Sequence, residues 1–150
     1  MSKIYILVFL YSVFGGVVMV ILFDKFNLPE DIYEIIFATE QQIIVAQALL
    51  KEMKMKGGQM SKGQMSDFAT RLHEGRLETK IERAPFVGKK LKLSYNKRQF
   101  YDRILTPMKS MGLIYYDLYK KIYKVSDDFV KQLDIIAKMW QRELQKPLND

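Results

Sequence analysis

Between Ile4 and Phe23 the sequence IYILVFLYSVFGGVVMVILF carries no charge, and its only polar side chains are the hydroxyls of Tyr5, Tyr11 and Ser12. Wound as an α-helix, a run of this length rises roughly 30 Å, the hydrocarbon thickness of a bilayer. A helix that is apolar all round has no wet face, so it must bury itself in lipid or among several other helices. A transmembrane helix bracketed by Lys3 and Asp24 is therefore expected, with residues 1–26 as a lipid-bilayer anchor and 27–150 as a soluble domain. The rivals are a cleaved secretory signal, which would have a shorter apolar region ending in small residues, and a helix buried against a partner. Gly15-Gly16 permits close helix contact in lipid. Lys3 on one side and Lys25 on the other barely decide orientation. The domain is placed in the cytoplasm mainly because its basic surface suits nucleic acid.

The remainder needs a packed core, because 49% of the chain is hydrophobic. The chain has no cysteine, which removes disulfide frameworks, thiolate nucleophiles and cysteine-bearing zinc modules. His73 is the only histidine and suits a surface or helix-end role better than metal ligation. There is no phosphate-cradling glycine loop, nucleophile elbow or zinc-protease helix, so a non-enzymatic protein without cofactor or metal is expected. The formal charge is +7, and between residues 80 and 124 twelve basic residues stand against three acidic ones. Such a concentration favours an anionic partner, although a protein partner or a plainly solvated surface would also accommodate it.

Asn27-Leu28-Pro29-Glu30 separates the apolar run from the domain. Ile32, Ile35 and Ile36 lie on a first helical segment. Thr39 to Gln42 has capping-box spacing, and Ile43, Ala46, Leu50 and Met53 follow at helical intervals, predicting a helix from about Glu40 to Lys54 that Gly57-Gly58 ends. Ser61 to Gln64 caps a second helix bearing Met65, Phe68, Ala69 and Leu72. Residues 76–94, with Pro85, Gly88 and Lys89-Lys90-Leu91-Lys92, read as irregular or partly extended. A third helix starts near Asn96, buries Phe100, Ile104, Met108 and Met111, turns Lys97, Arg98, Tyr101 and Lys109 to solvent, and stops at Gly112. Pro107 should kink it or end it one turn early. Leu113–Asp117 and Lys121–Val125 form a hairpin with a three-residue loop. Ser126-Asp127-Asp128 then caps a last helix with Phe129, Leu133, Ile136, Trp140 and Leu144 on one stripe.

The run Met108-Lys-Ser-Met-Gly-Leu-Ile-Tyr-Tyr-Asp117, followed by Lys120-Lys-Ile-Tyr-Lys-Val-Ser126, resembles the junction of recognition helix and wing in the winged helix-turn-helix family. The resemblance spans about Thr39 to Leu144 and is most specific from Ser94 to Ser126. It implies a mainly α fold, with a winged-helix-like domain and a small β-hairpin behind the transmembrane helix. It further implies double-stranded DNA as partner, with Asn96, Lys97, Arg98 and Tyr101 at base edges or phosphates. Lys120, Lys121 and Lys124 would touch the backbone from the wing.

Several readings stay open. Tyr115, Tyr116, Tyr119 and Tyr123 suit cross-strand packing better than base stacking. The last helix's stripe fits simple core or a homodimer seam. The leading function is a membrane-tethered, DNA-binding regulator. The alternative is an accessory subunit of a membrane protein complex, using the same domain for protein contact.

Overall fold

A computed structural model describes residues 23–80 and 87–148. The expected transmembrane run, apart from Phe23, lies outside these residues. Among those described, no helix is long and apolar enough to cross a membrane.

Each early helix begins where a side chain accepts its first free amides. Asp31 accepts from Tyr33 N ahead of α1 (Ile32–Ile36), and Thr39 accepts from Gln42 N ahead of α2 (Glu40–Met55). At α3 (Lys62–His73) the capping box is complete: Gln64 N donates to Ser61 Oγ at 3.1 Å, and Ser61 N donates to Gln64 Oε1 at 2.9 Å. Helix α2 is the central one. It buries Ile43, Val45, Ala46, Ala48, Leu49 and Met53, a stripe broad enough to pack on both sides. Across it lie Met65, Phe68, Ala69 and Leu72 of α3 and Phe100, Ile104, Leu105 and Met108 of the third long helix. The rings of Phe68 and Phe100 meet at 5.5 Å.

That third helix does not end at Pro107. It runs as α4 (Lys97–Phe100), a π-helical turn (Tyr101–Leu105) and α5 (Thr106–Ser110). Thr106 N donates to Tyr101 O, an i→i−5 bond, so the widened turn absorbs the disruption that proline causes in a regular helix. Pro107 then falls in the first turn of α5, where its missing N–H and fixed φ are tolerated.

The fold class expected from sequence is overturned in its β content. Among the described residues 54% are helical and 16% extended, an α/β mixture with five strands in two sheets. Strands β4 (Ile114–Asp117) and β5 (Ile122–Val125) form the expected hairpin, but β1 (Gln59–Ser61) adds to it, giving the antiparallel order β1-β5-β4. A second antiparallel sheet, β2 (Leu77–Lys80) with β3 (Lys90–Leu93), stands where residues 76–94 were expected to be irregular or partly extended. Three-residue β1 has no alternation long enough to read. Its extended state depends on a partner about sixty residues away, which local pattern does not carry. The loop between β4 and β5 has four residues, Leu118 to Lys121, because Lys121 adopts the left-handed conformation (φ 53°) and closes the turn.

Gly112 joins α5 to β4 at φ 84°, and its carbonyl accepts from Phe129 N at 3.0 Å. That bond holds the start of α6 (Asp128–Gln145). A methyl at Gly112 would lie 2.8 Å from Phe129 N and 2.9 Å from Asp128 Cβ. Left-handed strain and overlap with backbone together should cost Gly112→Ala roughly 2–4 kcal/mol. Denaturant unfolding with unchanged slope and a lowered midpoint would show it; a midpoint equal to that of the parent would refute the close approach.

Candidate nucleic-acid interface

Outward from the core, the third helix exposes Arg98, Gln99, Asp102, Arg103, Thr106, Lys109 and Ser110. Arg98 has a side chain 89% exposed, its Nε 3.7 Å from Asp102 Oδ2. Such an exposed pair holds the guanidinium only weakly. Lys109 marks the end nearest the sheet. Its Nζ lies 5.9 Å from the ring of Tyr116 and 6.0 Å from that of Tyr123, within cation–π reach. Thr106, Lys109 and Ser110 face Tyr115 and Tyr116 across an open groove between α5 and β4.

Of the seven expected contact residues, Asn96, Arg98, Lys120 and Lys121 are exposed, whereas Lys97, Tyr101 and Lys124 are partly buried. Asn96 is exposed but caps α4, accepting from Gln99 N at 3.1 Å. Lys97 turns back onto α3, its Nζ 3.0 Å from Thr70 Oγ1 and 3.4 Å from Ser66 Oγ. Its backbone N–H donates to His73 Nδ1 at 3.1 Å, so the imidazole closes the gap between α3 and α4 as an acceptor. Tyr101 is half-buried; burial raises its phenol above the ordinary tyrosine range, and the neighbouring Ser66 side chain opposes that. Lys124 is half-buried on the central strand, between Gln59 and Tyr115 in register.

The stripe Phe100, Ile104 and Met108 already contained the answer for two of these. Residue 97 stands three before 100 and seven before 104, and 101 stands three before 104, so both share the buried side. The same arithmetic turns Arg98, Gln99, Asp102 and Thr106 outward, while Arg103, three after Phe100, is exposed at the edge of this face. Gln99, Arg103 and Thr106 are exposed residues of this face that the sequence reading left out.

Lys120 and Lys121 are exposed on the β4–β5 turn. Asp117 organises it: Oδ1 accepts from Tyr119 N at 2.9 Å and Lys120 N at 3.0 Å. The Lys120 amide, foremost, holds this carboxyl below the ordinary aspartate range, with the Tyr119 amide and the Lys120 and Lys124 charges adding to it. Tyr116 and Tyr123 stand opposite in register with ring centroids 4.5 Å apart, so they pack across the strands, whereas Tyr119 at the tip is 98% exposed.

Helix α6 leaves the domain at once. Phe129 is its only buried residue, and Val130, Leu133, Ile136, Trp140 and Leu144 are all exposed. The described residues do not cover the stripe, so the simple-core reading of this helix is corrected. Its opposite side carries pairs such as Lys138–Asp134 at 2.6 Å.

Because Lys97 bonds within the fold, Lys97→Met should lower stability by about 1 kcal/mol, the scale of a lost hydrogen bond. Stability curves would measure the loss; a midpoint equal to that of the parent would show that the bonds to Thr70 and Ser66 do not hold the fold. No family model matches the sequence, no curated protein matches it, and no solved structure matches its fold.

Proposed function

We propose that this chain is a non-enzymatic protein that binds double-stranded DNA through the outward face of the α4–α5 helix and the β4–β5 turn. The observation that carries this reading is an exposed, polar, arginine-bearing helix face next to a three-stranded sheet whose turn presents two lysines. The order of elements from α2 to β5, with β1 on the far side of β5 from β4, suits the winged helix-turn-helix resemblance of the sequence. The β2–β3 hairpin is an addition to it. Arg98 is the first candidate for a base edge, with Gln99 and Arg103 beside it. Lys120 and Lys121 would meet phosphates. Attachment to a bilayer rests on the sequence of residues 4–23 alone, and a cytoplasmic place for the domain rests on its basic surface.

Duplex binding by the full chain should weaken steeply with salt. Charge reversal at Arg98 and Lys121 together should weaken it about tenfold or more and lower the salt slope by roughly one for each phosphate left unneutralised. Absence of binding at low salt would end this reading.

A second surface bears on the partner. The stripe on α6 runs Phe129, Leu133, Ile136, Trp140, a heptad-like spacing, with Val130, Ala137 and Leu144 widening it. We infer a homodimer through this helix, which would place two reading helices on a two-fold symmetric site. Sedimentation should give twice the chain mass, and Ile136→Glu with Trp140→Glu should give one chain mass while the domain stays folded. A parent that sediments as a single chain would count against the dimer. The accessory-subunit reading would draw on the same stripe; stoichiometric membrane partners without nucleic acid after mild extraction would favour it.

A further inference from the structure

Strands β2 and β3 leave the domain between α3 and α4 and return at the cap of the reading helix. Their root is fixed on three sides. Leu77 and Leu93 are buried, Tyr95 N donates to Leu72 O at 3.1 Å, and Gln41 Nε2 donates to Ser94 O at 2.9 Å. The hairpin therefore projects from the N-terminal end of the helix, whereas the Lys120-Lys121 turn belongs to the sheet that follows its C-terminal end. The helix between them, residues 97–110, is roughly 20 Å long.

Register sorts the hairpin's side chains. Leu77 pairs with Leu93 and Thr79 with Leu91 on one face. On the other, Glu78 pairs with Lys92 and Lys80 with Lys90, all four exposed. Lysines directly opposite each other are destabilising in a sheet, and among the described residues of this face Glu78 stands opposite only one of the three. The face therefore holds excess positive charge that the fold itself does not need. A polyanion would relieve it, releasing condensed counterions as it did so.

We propose that the β2–β3 hairpin is a second phosphate-binding arm, in which Lys80, Lys90 and Lys92 hold the duplex backbone beyond the N-terminal end of the reading helix. This rests on the duplex-binding reading above and extends it from one flank to both. The arm carries no base recognition: its exposed lysines are point charges that follow phosphate spacing.

The test is the full chain carrying Lys80→Gln, Lys90→Gln and Lys92→Gln, titrated with duplex DNA over a range of salt and footprinted by hydroxyl radicals. The expected result is a salt slope lower by about two to three, with protection missing at one flank only. Thermal unfolding should occur at or above the parent's midpoint, since the facing lysines no longer repel. Glu78→Gln should act oppositely and tighten binding. If the parent binds duplex and the triple variant keeps its slope and footprint, the arm is wrong while the duplex reading stands. The arm is equally wrong if that variant instead loses binding to phosphatidylserine vesicles with its duplex slope unchanged. If the parent does not bind duplex at all, both fall together.

Discussion

The close approach at Gly112 is the constraint on which the rest of the arrangement depends. Three chain directions meet there: α5 stops, β4 starts, and the first turn of α6 crosses close enough to exclude a side chain. Leu113 N donates back to Met108 O at 2.9 Å, and Ser126 N donates to Leu113 O at 3.0 Å. The end of the helix is thereby bonded to the strand pair through backbone alone. The groove between α5 and β4, the seat of Lys109 over the tyrosine rings, and the departure of α6 are all set from this point. A bulkier residue would have to push α6 away from the sheet or unwind the end of α5.

Local signals were legible because their physics is local. Thr39, Ser61 and Asn96 each accept an amide within three residues, and Gly112 stops its helix from its own φ. Ile43, Phe68 and Phe100 took their expected places because helical spacing alone assigns a side. Strand β1 was not legible, and in residues 76–94 only a partly extended character was, not the pairing of β2 with β3. Gln59-Met60-Ser61 becomes extended only by pairing with Ile122–Lys124, and nothing in those three residues announces it. The four-residue turn was missed for a related reason: Lys121 is no turn-former by type, and the Asp117 carboxylate organises the turn that it closes.

Charge misled more than pattern did. Lys97 is a lysine at the start of the third long helix, yet its ammonium bridges Thr70 and Ser66 and its amide meets His73. Chemical type proposes a role, and helical phase decides whether the side chain can fill it. Arg98 satisfies both conditions. The neighbouring carboxylate of Asp102 makes this face mixed in sign.

The π-helical turn has a geometric consequence for the outward face. An α-helix advances about 100° per residue, whereas the wider turn between Tyr101 and Leu105 takes up one more residue for about the same rotation. Arg98 and Gln99 are phased by the segment ahead of this bulge, Thr106 and Lys109 by the segment behind it. Excising a single residue there would return the segment to α-helical pitch and leave the Lys109 ammonium beside Tyr116 and Tyr123. The bulge thus lets the chain carry a spare residue without turning the two ends of the surface against each other.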